Sequence, residues 1–446
     1  MTEPMERAVP SEFYRDDLIT LHLGDCREIL PALPEASVDA VVTDPPYEIG
    51  FLDRAWDASG VAFDPATWSA CLRVLKPGGH LLAFGAPRTY HRLAVAVEDA
   101  GFTIRDQIHW VYGQGFPKGV DIAKALDKRR NDRAEVLAVA RFLAAARDRA
   151  GLSNRQIDAA FGLHGMAYHW TTDRQTTAVP TIEQWERLRA LLDFDDPDVD
   201  TLVAELNARK GTVGEAYLQR EVVGRRNSGL TEGRSSVFLR GARDRAPDGT
   251  IPITAPATDA AKRWAGWHTA LKPAHEPILV ARKSTGYNSV SANVLAHGTG
   301  ALNIDACRTG DPNSTEPGRW PTNLALGHTP ACTERTCDPR CPVFELGDTA
   351  EFFPAFRYQP KAPTAERPHA PDGTGHATVK PLALMRWLVR LVTPPGGLIL
   401  DPFAGTGTTL QAAIAEGMHA LGIEQDRAHA ELARTRLSDP IQLTLA

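Results

Sequence analysis

The chain has 446 residues, 43% of them hydrophobic and 23% charged, with a formal net charge of −6. That length holds two or three domains, and no run of about 18 apolar residues occurs that would suit a membrane span. The acidic balance excludes a protein basic throughout, though not one with a local basic face, and six cysteines in a chain of this size are no disulfide framework.

Residues 1–17 are polar, mixed in charge and without the apolar core of a secretory signal, which predicts a mobile leader and a cytoplasmic protein. Residues 18–23 alternate as a strand and run into Gly24-Asp25-Cys26. Asp25 therefore stands at a strand's carboxyl end, where it also suits the N-cap of a short helix over 27–30. The β-branched run 38–43 reads as a buried parallel strand, stopped by Asp44-Pro45-Pro46-Tyr47, because neither proline can donate a ladder hydrogen bond. Such a strand presents a carboxylate and an aromatic ring at the carboxyl rim of a sheet, where open α/β folds bind ligands. The competing reading is a plain proline-rich turn.

A helix over 65–75, a turn at 76–79, a strand over 80–84, a helix over 87–100 and a strand over 102–111 follow. Strand–helix–strand units in tandem specify a doubly wound parallel sheet. From about residue 131 to 218 the texture becomes helical. Ser153-Asn154-Arg155-Gln156 and Thr181-Ile182-Glu183-Gln184 are capping boxes, and short helices at this spacing match a helix-turn-helix in pattern. A structural insertion that never touches DNA fits the same pattern. The segment 219–260 is arginine-rich; Arg225, Arg226, Arg234 and Arg240 suit phosphate binding by a flexible loop, against the plainer reading of a solvated linker. Residues 261–286 return to regular structure with a buried strand at 278–281, and 287–370 are rich in glycine, proline and asparagine, an irregular region suited to target recognition.

Within that region His328, Cys332, Cys337 and Cys341 offer four soft or borderline ligands with short gaps, a set that suits a closed, structural tetrahedral Zn²⁺ site. Reduced cysteines without metal are the alternative. Cys26, Cys71 and Cys307 are isolated and read as buried thiols. In the last part, 371–436, a buried strand runs into Asp401-Pro402-Phe403-Ala404-Gly405-Thr406-Gly407 and then a helix, so the glycines let a ligand approach the helix N-terminus. A second strand ends at Glu424, about 20 residues on, where an acid suits a ribose diol. Residues 437–446 are a tail.

The Asp-Pro-Pro-Tyr and Asp-Pro-Phe-x-Gly-x-Gly motifs resemble the catalytic and S-adenosylmethionine motifs of the amino-methyltransferases that modify exocyclic amines of nucleic-acid bases. The catalytic motif comes first and the cofactor motif last, as in the β-class DNA amino-methyltransferases of bacterial and phage origin. The resemblance covers roughly 18–130 and 260–436. It implies an α/β, Rossmann-like methyltransferase sheet, circularly permuted, with 261–286 as its hairpin edge; the helical insertion and the zinc-stapled recognition region rest on the residues alone. Implied roles are Asp44, Pro45, Pro46 and Tyr47 in catalysis and Asp25, Thr378, Lys380, Asp401, Phe403, Gly405, Thr406, Gly407 and Glu424 around S-adenosylmethionine. The family's His-Pro-Thr-x-Lys-Pro reads His376-Ala377-Thr378-Val379-Lys380-Pro381 here, with Ala377 in place of the proline.

The chemistry suits the motif. The lone pair of an exocyclic amine is delocalised into its ring, and the Asp44 carboxylate and Pro45 carbonyl can each accept one N–H, while Tyr47 offers a face for a flipped base. The expected reaction is methylation of adenine N6 in double-stranded DNA, since Asp44 at the motif's first position favours adenine over cytosine N4. N4-cytosine methylation stays open, as do RNA or protein-glutamine methylation and a DNA-binding regulator built on the same scaffold. A cognate restriction endonuclease, or none, is compatible with this reading.

Overall fold

The computed structural model describes residues 12–49, 59–113, 119–130, 132–163, 165–174, 176–210, 212–227, 250–310, 318–329, 331–332, 336–357 and 379–438. In chain order its strands are β1 (Glu12–Arg15), β2 (Ile19–Leu23), β3 (Val38–Thr43), β4 (Leu75–Phe84), β5 (Thr103–Tyr112), β6 (Val222–Asn227), β7 (Thr250–Thr254), β8 (His275–Arg282), β9 (Leu324–His328), β10 (Ala355–Arg357), β11 (Leu398–Asp401) and β12 (His419–Glu424). Two compact units result, one from 1–116 with 273–446, the other from 117–272.

The first unit is a mixed sheet ordered β1-β2-β12-β11-β3-β4-β8-β5-β9-β10. The two C-terminal strands slot between β2 and β3, so segments from opposite ends of the chain share one hydrogen-bonded ladder. β2, β12, β11, β3 and β4 run parallel. All six residues of β3 are buried, as expected of a parallel strand covered on both faces. Ala40 and Val42 point into one apolar core, Val41 into another. The first core is closed by the helix Leu382–Val392, which buries Leu384, Met385, Leu388 and Val389. The second is closed by Pro65–Val74, whose Trp68 is fully buried and donates its indole N–H to the Ala62 carbonyl at 2.9 Å.

Four features depart from the sequence expectation. Glu12–Arg15, within the expected leader, pairs antiparallel with β2. The 76–79 turn is the bulged start of β4, where Gly78 takes φ +78° and the pairing with β3 slips between Val38 and Ala40. β8 is no sheet edge: it lies antiparallel between β4 and β5 with Ile278–Ala281 buried, because an apolar run needs cover on both faces and partners on both sides. β9 and β10 extend the sheet from inside the region expected to be irregular. At five and three residues they are too short for alternation to register as a pattern.

The second unit carries its own core, built from Val139, Leu143, Ile157, Trp170, Trp185 and Leu188. Its described helices are Ile122–Asp127, Arg133–Arg149, Asn154–Phe161, Met166–Thr171, Ile182–Leu192, Pro197–Ala208, Glu215–Leu218 and Asp259–Arg263. Both capping boxes form with reciprocal bonds, at Ser153 with Gln156 and at Thr181 with Gln184. Asp158 accepts the Gly165 and Ala167 N–H groups, each at 2.8 Å, and so sets the turn between two short helices. The arginine-rich segment starts as a hairpin: β6 and β7 pair antiparallel, and Arg220 just before β6 is buried against Asp127. The compact unit therefore takes in 117–130 and 261–272 as well as the helical segment and arginine loop.

Candidate active site and metal centre

β3 and β11 pair with Ile399 opposite Ala40 and Leu400 opposite Val41, so their carboxyl ends finish side by side. Thr43 donates its hydroxyl to Asp401 Oδ1 at 2.6 Å, joining the end of one motif to the start of the other. Asp44 follows directly. Its Oδ2 accepts from Lys380 Nζ at 2.5 Å, and the same ammonium lies 3.4 Å from Glu276. Its Oδ1 is buried with no hydrogen-bond partner among the described residues. An unsatisfied buried carboxylate oxygen is costly, and Asp44 stands directly after β3, at the rim where ligands bind in such sheets.

Burial pushes the Asp44 carboxyl above its ordinary range; Lys380 pulls it down and Glu276 pushes it up, and burial prevails. Burial works against the Lys380 charge, but Asp44 and Glu276 outweigh it, and the ammonium is held more firmly than an ordinary lysine. Lys380 also lies over the Tyr47 and Phe84 rings, 5.3 and 4.9 Å from their centroids. Tyr47 donates its hydroxyl to Glu276 Oε2 at 2.8 Å, and Tyr112 donates to Oε1 at 3.4 Å. The Tyr47 carbonyl accepts from Thr89 at 2.9 Å, which pins the loop after the prolines. Beside it Pro46, Tyr47, Phe63, Phe84 and Tyr90 line a hollow.

Two residues make contacts that the sequence reading did not give. Lys380, expected around S-adenosylmethionine, is an ion-pair partner of Asp44. Glu276 received no role in the sequence reading, yet it joins Tyr47, Tyr112 and Lys380. The signal that could have marked it is an acid two residues before the buried run 278–281, a position that makes a charge expensive unless it is paired.

On the cofactor side, Asp401 is buried and also accepts the Phe403 N–H at 3.1 Å. Burial raises its carboxyl to about 6. Gly405 has φ +53° and nothing within 4 Å of where a Cβ would stand, so it needs a left-handed backbone and opens onto free space. Its N–H donates to Glu424 Oε2 at 2.7 Å, and Asp426 N donates to Oε1 at 2.8 Å. Glu424 thus fastens the glycine loop as well as standing at the strand end. Gly407 is the N-cap of the helix Thr408–Ala415, and a Cβ there would come 3.2 Å from Ala433 Cβ, so its smallness serves helix packing. Thr406 is buried and bonded through hydroxyl and carbonyl to Arg436. Phe403 lies 6.3 Å from Trp68, ring to ring. Asp25 is the N-cap of Cys26–Ile29, accepting from Arg27 N at 2.9 Å and ion-paired with the Arg27 guanidinium, which holds its carboxyl below the usual range. Gly24 N donates to the Glu424 carbonyl at 2.9 Å, which sets Asp25, after β2, beside the end of β12.

Of the expected phosphate contacts, Arg225 is exposed on β6 and donates to Thr250 at 3.1 Å. Arg234, Arg240 and Thr378, and the side chain of Arg226, lie outside the described residues. His328, Cys332, Cys337 and Cys341 converge, their ligand atoms all within 4.8 Å of one another.

Among curated proteins, the Type II methyltransferase M.HindIII of Haemophilus influenzae is 29% identical over 233 residues, 50% of this chain and 60% of that protein. The Type II methyltransferase M.BamHI of Bacillus amyloliquefaciens is 34% identical over 87 residues, 17% of this chain and 19% of that protein. The chain thus spans less than two thirds of the length of either relative. Among solved structures, the cytosine-N4-specific PvuII DNA methyltransferase aligns at 12% identity and a TM-score of 0.40, covering 97% of this chain and 90% of that one. An M1.HpyAVI–SAM complex aligns at 14% identity and a TM-score of 0.36, covering 94% and 100%. The family model described as DNA methylase matches residues 38–140 and 250–435, both motifs included, and the chain accordingly belongs to the N6/N4 DNA methylase family.

Proposed function

We propose that this protein methylates an exocyclic amine of a base flipped out of double-stranded DNA, with adenine N6 as the acceptor and S-adenosylmethionine as the donor. The observation that carries this reading is the buried Oδ1 of Asp44, without a hydrogen-bond partner among the described residues, next in sequence to Thr43, whose hydroxyl bonds Asp401. Lys380 bonds Oδ2, and Oδ1 keeps the capacity to accept an N–H. Accepting that hydrogen localises the lone pair on the amine nitrogen, and Tyr47 with Phe84 and Tyr90 supplies stacking surface. The nitrogen would then form one new bond to the donor's methyl carbon as the carbon–sulfur bond breaks, its electron pair staying on sulfur, and would lose one proton, which Asp44 or solvent takes up.

When bound, S-adenosylmethionine supplies an electrophilic methyl group on a cationic sulfonium. The residues present fit it. Asp401 is a buried carboxyl in want of a cation, suited to the ammonium; Gly405 leaves room for close approach; Glu424 keeps lone pairs for a ribose hydroxyl. The aspartate at position 44 favours adenine, and N4 of cytosine is the runner-up. Nucleoside mass spectrometry after incubating the protein, labelled donor and unmethylated bacterial DNA tests the reading. N6-methyladenine supports it, N4-methylcytosine changes the base, and no product with donor bound overturns it in favour of a DNA-binding regulator.

Two pH dependences follow. Donor affinity should fall as pH drops below about 6, by up to about tenfold per unit, because protonated Asp401 cannot pair with an ammonium. Calorimetric titrations between pH 5 and 8 measure this, and an unchanged affinity would remove Asp401 from the donor site. The stability of the ligand-free protein has the opposite sign. With its pKa raised in the folded state, Asp401 contributes fully below its unfolded value of 3.8 and loses that contribution as pH rises through about 6. Lys380→Met removes the cation that opposes burial and Glu276 at Asp44, so the acid limb of kcat/KM should move to higher pH. Lys380→Arg should largely restore it, and a limb that stays put in Lys380→Met would exclude the pairing as functional.

A further inference from the structure

We infer that His328, Cys332, Cys337 and Cys341 bind one Zn²⁺ in a closed tetrahedral site that fastens the carboxyl end of β5 and β9. The separations carry this. Cys332 Sγ lies 3.5 Å from Cys337 Sγ, and His328 Nδ1 lies 3.5 Å from Cys337 Sγ and 3.6 Å from Cys341 Sγ. A tetrahedron with Zn–S near 2.3 Å and Zn–N near 2.0–2.1 Å has edges of roughly 3.8 Å between sulfurs and roughly 3.6 Å from sulfur to nitrogen. These three pairs already stand at about those edges, and all four ligand atoms lie within 4.8 Å of one another. Sulfur atoms 3.5 Å apart are unbridged, and all six cysteines are free.

The surroundings favour thiolates. Asp338 N donates to Cys332 Sγ at 3.3 Å, and the Thr329 hydroxyl lies 3.4 Å from the same sulfur. Donors of this kind hold ligands in orientation and offset their charge. Four protein ligands leave no open position, so the ion is structural rather than hydrolytic.

The placement says what it holds. His328 is the last residue of β9, whose Gly327 pairs with Tyr112 at the end of β5. Cys341 is the N-cap of Pro342–Glu345, and Pro342 closes on Gly113, where a Cβ would meet its Cγ at 2.5 Å. The clip therefore grips the rim that carries Tyr112, whose hydroxyl reaches Glu276 and, through it, Tyr47 and Lys380. Among the described residues of 329–341, the ligand Cys341 is the single buried apolar one. Such a stretch takes its shape from metal binding rather than from a core.

Metal analysis of the full chain, purified with zinc and without chelator, tests this. The expected result is about one zinc per chain, with Co²⁺ substitution giving the intense visible bands of a tetrahedral thiolate site. Cys337→Ser should lose the metal and lower the thermal midpoint, while Cys307→Ser, at an isolated buried thiol, should keep it. A chain that stays metal-free after zinc reconstitution, or one that carries a Cys332–Cys337 disulfide by mass mapping, would overturn the proposal. The cobalt spectrum is read on the unmutated protein, so misfolding of a variant cannot decide the outcome.

Discussion

Asp44→Ala is expected to lower single-turnover methyl transfer by at least about a thousandfold while leaving donor binding close to that of the unmutated protein. Loss of one preorganised group aimed at developing charge costs about 10²–10³ in rate, and Asp44 adds a proton acceptor worth about 10²–10⁴. Asp44 makes these contributions through an oxygen that has no hydrogen-bond partner among the described residues. The donor side is separately supported, since Asp401 is held by Thr43 and the Phe403 N–H rather than by Asp44. Removing Asp44 also leaves Lys380 with Glu276 as its remaining carboxylate, so the ammonium stays paired and the loop stays ordered. Quench-flow with labelled donor, alongside calorimetric donor binding, reads both quantities. Activity within tenfold of the unmutated protein would sink the mechanism, and parallel loss of donor binding would show that Asp44 serves the fold instead.

Arg220→Ala should destabilise the 117–272 unit by about 3–5 kcal/mol, the usual consequence of removing one partner from a buried ion pair. The Arg220 and Asp127 side chains are 3% and 0% exposed and meet at 2.5 Å. Arg220 also donates to the Thr254 hydroxyl at 2.8 Å and its carbonyl at 3.0 Å, fixing the start of the hairpin to the end of β7. Burial works against the Asp127 charge, but Thr258, the Ala257 N–H and Arg220 together hold its carboxyl below the ordinary value. Truncating the arginine leaves that charge buried and short of its cation. Hydrogen exchange over the peptides containing Asp127 and Thr258 measures the effect where it arises. The pair Arg220→Met with Asp127→Asn should recover much of the loss, because no charge is then stranded. Unchanged protection in Arg220→Ala would mean that the neighbouring hydrogen bonds suffice.

Much of the site was legible because its signals are short in range. A β-branched run stopped by two prolines marks β3 and hands Asp44 to a sheet rim, whatever lies elsewhere in the chain. The two capping boxes are reciprocal bonds over three residues, so sequence spacing and spatial distance coincide. The same holds for the His328–Cys341 cluster, whose ligands are close in sequence. Gly405 needs a positive φ that its own residue type permits.

What sequence could not carry were pairings whose partners lie hundreds of residues apart, or whose outcome depends on which strand fills which slot. Lys380 sits in a motif whose family role points to the cofactor, yet the packing of its segment beside β3 delivers it to Asp44, 336 positions away. Glu276 became part of the site because β8 was drawn between β4 and β5, which sets its carboxylate against Tyr47 and Tyr112. Glu424 and Gly407 were marked by type, but fastening the glycine loop and packing on Ala433 depend on β12 lying beside β11 and on the helix Arg427–Ser438 closing over it. Residue chemistry and local periodicity thus settled which groups stand at strand ends and helix starts, since those follow from backbone sterics and hydrogen bonds a few residues long. Which of those groups meet was settled by the sheet order, since β3 is paired along one edge by β4 and along the other by β11 from the far end of the chain, while helices from both parts cover its faces.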